Sequence, residues 1–148
     1  MPATNKALLR WLPFAAAAVL SIAIACWAPM GRKAFQLDWS LSASALIFSI
    51  QKASHIAACA ALALLAMLAT GRRRWLLALV LPILVGACWE LAQTTVVGHA
   101  ARLADLAPDA AGALMGCAWG VILASLLVPS ISERQLRGHS SETHTTES

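Results

Sequence analysis

Four stretches of this 148-residue chain are long and almost free of charge: Trp11–Ala28, Ile50–Thr70, Trp75–Val97 and Asp109–Val128. Each comes near the ~20 residues a helix needs to cross a bilayer core about 30 Å thick. The pattern predicts an all-α fold, a four-transmembrane-helix bundle occupying residues 11–129. Between the second and third runs stands Gly71-Arg72-Arg73-Arg74, short enough to make the two helices antiparallel neighbours. Pro82 predicts a local kink in the third helix. Pro129 is a natural stop for the fourth, whose first turn holds Asp109, where a carboxylate complements the helix dipole. Met30–Ser49 mixes charges with Phe35, Trp39, Ile47 and Phe48, which suits the headgroup region. It reads either as a short surface helix or as an irregular loop. Gly98–Pro108 is a polar connection. Residues 130–148 are too polar to bury a core and read as a mobile tail.

Composition agrees, with 59% hydrophobic and 12% charged residues, far too apolar for an ordinary soluble domain. The four cysteines all lie inside apolar runs, lack metal-ligand spacing, and read as small buried hydrophobes. The net charge of +4 comes from short basic clusters flanking the apolar runs, a topological pattern that argues against nucleic acid. The basic start of the chain and the run after it could be a secretory signal. The length of that run, Pro13, and the lack of a small-x-small cleavage site favour a retained first helix, preceded by a cytoplasmic segment, residues 1–10. With both termini and the triple-Arg turn in the cytoplasm, seven basic residues fall inside and four outside. The positive-inside rule therefore predicts a multi-pass membrane protein with both ends inside.

In that topology the polar residues gather at the outer end. Lys52 and His55 open the second helix three residues apart, on one face. Glu90 and Gln93 close the third helix, and Arg102, Asp105 and Asp109 follow. His55 lies fifteen residues before Thr70 and Glu90 fifteen after Trp75. At 1.5 Å per residue both sit about 22 Å from the cytoplasmic boundary, and so share a level. A carboxylate at Glu90 needs a partner or a wet cavity. Each group also has a plainer reading: Lys52 snorkels, His55 makes an interhelical hydrogen bond, Arg102 and Asp105 form a surface pair, and Asp109 caps a helix. Gly112, Gly116 and Gly120 recur every four residues, a stripe that lets helices approach closely. It is expected to dock inside the chain on the third helix, drawing Asp109 toward Glu90, with homodimerisation as the alternative.

Lys52-x-x-His55, Glu90-x-x-Gln93, Arg102, Asp105, Asp109 and Gly112 resemble the VanZ-like membrane proteins. The resemblance covers about residues 51–120 and preserves order and most spacings. Gln51 stands where that family commonly has Asp, and Ala110 or its neighbours where it has Asn. The resemblance implies a small polytopic protein of the bacterial envelope, with a link to resistance to the glycopeptide teicoplanin. It supplies a context and leaves the reaction open.

Three functions are compatible with these residues. In the first, the outer pocket binds or processes an anionic lipid-linked envelope component. Lys52, Gln93, Arg102 and Asp105 would then bind it, and Glu90 or His55 would move a proton with Asp109 as second carboxylate. In the second, Glu90 is the proton site of a small proton-coupled transporter, although such sites usually lie near the midplane. In the third, the chain is a helix-packing partner of an envelope complex. No motif calls for a metal or another cofactor.

Overall fold

The computed structural model describes residues 3–127. The chain is mostly helical, and four of its helices are long and apolar enough to cross a membrane. They are α1 (Ala3–Cys26), α3 (Ala53–Thr70), α4 (Trp75–Gln93) and α5 (Leu106–Leu127). A shorter helix, α2 (Ala43–Ile50), precedes α3, and two two-residue strands, β1 (Leu37–Asp38) and β2 (Ala101–Arg102), lie in the connections. The tail expected at 130–148 lies outside the described residues. α1 begins at Ala3, so the expected segment 1–10 is largely continuous with the first helix.

α3 and α5 form the most extensive helix pair, and their glycines explain it. A Cβ on Gly112 would overlap the Ile56 carbonyl, one on Gly116 the Ala60 carbonyl, and one on Gly120 would lie 2.9 Å from Met67 Cβ. Without a hydrophobic drive between helices in lipid, such close backbone contact supplies the dispersion energy. The stripe therefore docks internally, but on the second long helix rather than the third. A homodimer through these glycines would require that packing to open. Helix α4 turns a different set inward: Ala78, Pro82, Gly86 and Glu90, spaced four apart. An apolar core that includes Phe14, Ala18, Leu62, Ala66, Ala78 and Cys117 ties α1 to the other three.

The turn between α3 and α4 is set by Gly71, whose φ of 73° only glycine adopts readily. Its N–H caps α3 at Met67 O (2.8 Å), and Arg72–Arg74 form one 3-10 turn into α4. At the opposite end, Met30–Ser49 is neither simply helix nor simply loop. Gly31 O accepts from Val97 N–H, and Lys33 and Gln36 N–H donate to Thr95 and Thr94 O (2.8 and 3.1 Å), so the segment is stitched to the end of α4. β1 then pairs in parallel with β2, Leu37 beside Ala101 and Asp38 beside Arg102. Ser42 caps α2 by accepting from Ala45 N–H at 3.2 Å.

Three further boundaries differ from the sequence reading, the third helix ending at Gln93 rather than near Val97. The second apolar run breaks at Gln51–Lys52 without glycine or proline, because Ser49 and Lys52 both turn toward Asp105. The fourth helix begins at Leu106, with Pro108 in its first turn, where a missing N–H costs nothing.

Gly116→Leu is expected to destabilise the protein by about 3 kcal/mol, since neither backbone can yield to the added side chain. Thermal unfolding in detergent checks this, and a melting curve like that of the unsubstituted protein would contradict the packing.

Candidate functional site

Six polar residues at the end of the bundle remote from the arginine turn are buried: Ser49, His55, Glu90, Thr94, Asp105 and Asp109. All but Thr94 belong to two linked groups.

The first is built around Asp105, which the 3-10 turn Leu103–Asp105 presents beneath α2. Its carboxylate is fully buried, accepting from Ser49 Oγ at 2.6 Å and from Lys52 Nζ at 2.5 Å. Lys52 remains partly exposed, so its stem bridges the buried acid and the surface. Lys52, expected to bind the anionic component, is ion-paired with Asp105 in this structure. The expected Arg102–Asp105 surface pair does not form. Asp105 is turned inward, and Arg102 Nε lies 3.8 Å from Asp38 Oδ2, with its guanidinium 4.9 Å from the centre of the Phe48 ring. Asp38, in the connection outside the spans, is held below the usual carboxylate range. The Ser40 backbone N–H, donating at 2.9 Å, is the largest cause, followed by the Ser40 side chain; burial opposes this slightly and the Arg102 charge adds to it.

The second group is centred on His55, one turn into α3. Nδ1 is 3.0 Å from Asp109 Oδ1 on α5, and Nε2 is 3.9 Å from Glu90 Oε1 on α4. Three helices thus bring one imidazole between two carboxylates, at the shared level that counting from the arginine turn predicted. The Trp89 ring stacks on His55 with centroids 5.1 Å apart and fixes the plane of the imidazole. Cys59, one turn beyond His55, donates to Asp109 Oδ1 at 3.5 Å. Glu90 Oε2 accepts the Arg102 backbone N–H at 3.1 Å, so the strand β2 anchors the acid on α4. Glu90 Oε1 and Asp109 Oδ2 are buried with no hydrogen-bond partner among the described residues. Gln93 is half-buried and its side chain makes no hydrogen bond among the described residues; Glu90 Oε2 is held by the Arg102 N–H instead.

Asp109 is more than a helix cap. It is buried, and Gly86 on α4 leaves the space its carboxylate occupies: a Cβ at residue 86 would collide with Oδ2. Gly86, Ser49 and Trp89 are site residues that the sequence reading did not assign. The signals were present, since Gly86 precedes Glu90 by one turn and Ser49 precedes Lys52 by three residues.

Chemically, if Nδ1 donates its hydrogen to an ionised Asp109, two arrangements are left at Nε2. Either Nε2 carries a second hydrogen toward an ionised Glu90, or its lone pair faces a protonated Glu90. A proton moving between them passes through one imidazole, the arrangement general acid–base chemistry uses. No group of three or more His, Cys, Asp or Glu among the described residues is placed to hold a metal ion. Beside Glu90 opens an apolar cavity of about 180 Å³, bounded by β1, α4 and the start of α5. Comparison with protein families, curated proteins and solved structures returns no match.

Lys52→Met is expected to be more damaging than Asp105→Asn. The first strands a fully buried carboxylate, at a cost of about 3 kcal/mol or more, while the second releases a lysine that can reach water. Thermal unfolding of the two variants checks the order, and equal melting points would contradict it.

Proposed function

We propose that this chain is a VanZ-like protein of the bacterial inner membrane that binds or processes an anionic lipid-linked component of the cell envelope at the outer face. The observation that carries the reading is the cluster itself: His55, Glu90 and Asp109 from three helices converge at one level, beside a cavity. Intramembrane acids that are linked in this way mark functional sites more often than scaffold. In this reading Glu90 and His55 exchange the proton, Asp109 orients the imidazole, and Arg102 is the cation left to meet an anionic group. The resemblance in Lys52-x-x-His55, Glu90-x-x-Gln93 and Asp109 adds the envelope context and the link to teicoplanin. Both termini lie in the cytoplasm, as the Arg72–Arg74 turn favours.

Proton-coupled transport is the second reading, and the His55 bridge between two acids favours it. A flux that depends on a pH gradient and vanishes in Glu90→Gln would decide for it.

In cells whose teicoplanin tolerance or envelope integrity depends on this protein, Glu90→Gln and His55→Ala are each expected to abolish the phenotype at normal expression. Wild-type behaviour of both variants would end both the processing and the proton readings. Labelling of a cysteine placed at residue 73 is expected only after the membrane is made permeable. Labelling in intact cells would reverse the orientation.

A further inference from the structure

The apolar cavity beside Glu90 has a roof and a floor of different origin. Leu37 and Trp39 on the β1 side cover it, while Leu91 of α4 and Leu103 and Leu106 at the entry to α5 form its other walls. Its surface is almost wholly apolar, with Glu90 and Arg102 at the boundary. Trp39 and Leu91 are both exposed, so the cavity opens at the surface of the bundle rather than in its interior. At about 180 Å³ the space equals about six waters at about 30 Å³ each, less than a whole small-molecule site needs. It has room for part of a hydrocarbon chain.

Two further features point to what lies at the mouth. Lys52 is consumed by Asp105, whereas the partly exposed Arg102 stacks on the Phe48 ring and has one long ion-pair contact among the described residues, to Asp38, itself nearly half exposed. Exposed ion pairs contribute little, so exchanging Asp38 for another anion costs little. Asp38 also sits on the two-residue strand β1, between the two residues that roof the cavity, Leu37 and Trp39. Freeing Arg102 from Asp38 and lifting the roof are therefore one movement of residues 37–39, opposed by the two-residue ladder with β2 and by the neighbouring Gln36 N–H to Thr94 O bond. The Arg102 backbone meanwhile stays fixed through its N–H to Glu90.

We infer that this cavity and Arg102 form a subsite for an amphiphile with an anionic headgroup: the headgroup replaces Asp38 at Arg102, and the first part of its hydrocarbon chain lies beneath Leu37 and Trp39. Asp38 is then an internal competitor that keeps the strap closed when no ligand is bound. The inference rests on the lipid-binding reading above and specifies where headgroup and chain go.

The test uses the full chain in phosphatidylcholine nanodiscs, titrated with a brominated dodecyl phosphate. Quenching of Trp39 is taken as the difference between the wild type and Trp39→Phe. Saturable quenching is expected, weakened at least tenfold in Arg102→Gln, which keeps the backbone N–H to Glu90, and in Leu106→Trp, which fills the cavity. Asp38→Asn is expected to tighten binding about two- to fivefold, the worth of an exposed pair. Inorganic phosphate alone is expected not to compete, since the chain supplies the apolar contact. Equal quenching by a brominated dodecyltrimethylammonium, or quenching unchanged in both Arg102→Gln and Leu106→Trp while they unfold at the wild-type temperature, would overturn the subsite. Competition by inorganic phosphate as strong as by the alkyl phosphate would overturn the place given to the chain. Absence of saturable alkyl phosphate binding while Glu90→Gln still abolishes the cellular phenotype fails this subsite alone, and a silent Glu90→Gln fails the broader reading.

Discussion

Three carboxylates, Glu90, Asp105 and Asp109, are buried at one end of a bundle whose helices are otherwise hydrocarbon. An isolated buried charge costs several kcal/mol, so the fold must bring cations and donors to these acids or leave them protonated. Asp105 is answered by Lys52 and Ser49, and Asp109 by His55 and Cys59. Glu90 is answered on one oxygen only, by the Arg102 backbone, with His55 next nearest. Much of the architecture serves these contacts. The glycine stripe brings α5 against α3 closely enough for Asp109 to reach His55, and Gly86 clears room for that carboxylate on α4.

The spans were legible in the sequence because uninterrupted apolar length is a direct signature of bilayer thickness. So was the common level of His55 and Glu90, since two helices joined by a tight turn must run in register. The break at Gln51–Lys52 was not legible, because no helix-breaking residue marks it; it is imposed by two side chains reaching for an acid more than fifty residues away. The docking partner of Gly112, Gly116 and Gly120 was misread as α4, where the structure has α3. A small-residue stripe states that some backbone comes close, and α3, rich in Ala, fits as well as α4. Arg102 was read with Asp105 from proximity in sequence, but the extended backbone of β2 and the 3-10 turn after it send the two side chains to opposite sides.

The cluster has fewer cationic groups than acids. With Lys52 given to Asp105, one imidazole stands between Glu90 and Asp109, and two of their four carboxylate oxygens have no hydrogen-bond partner among the described residues. Such a site holds protons readily and welcomes a donor, which suits either acid–base chemistry or proton coupling. The adjoining cavity, roofed by a short strap, distinguishes it from a sealed structural network. In the proposed reading, binding and proton exchange would occupy neighbouring surfaces joined at Glu90, which lines the cavity and lies 3.9 Å from His55.

The central claim is that charged groups from separate helices depend on one another. A double-mutant cycle between His55→Ala and Asp109→Asn, read by thermal unfolding in detergent, tests it most directly. A coupling above about 1 kcal/mol is predicted for groups 3.0 Å apart in a buried site. Additivity within about 0.3–0.5 kcal/mol would contradict it, since it would mean that the two residues act independently.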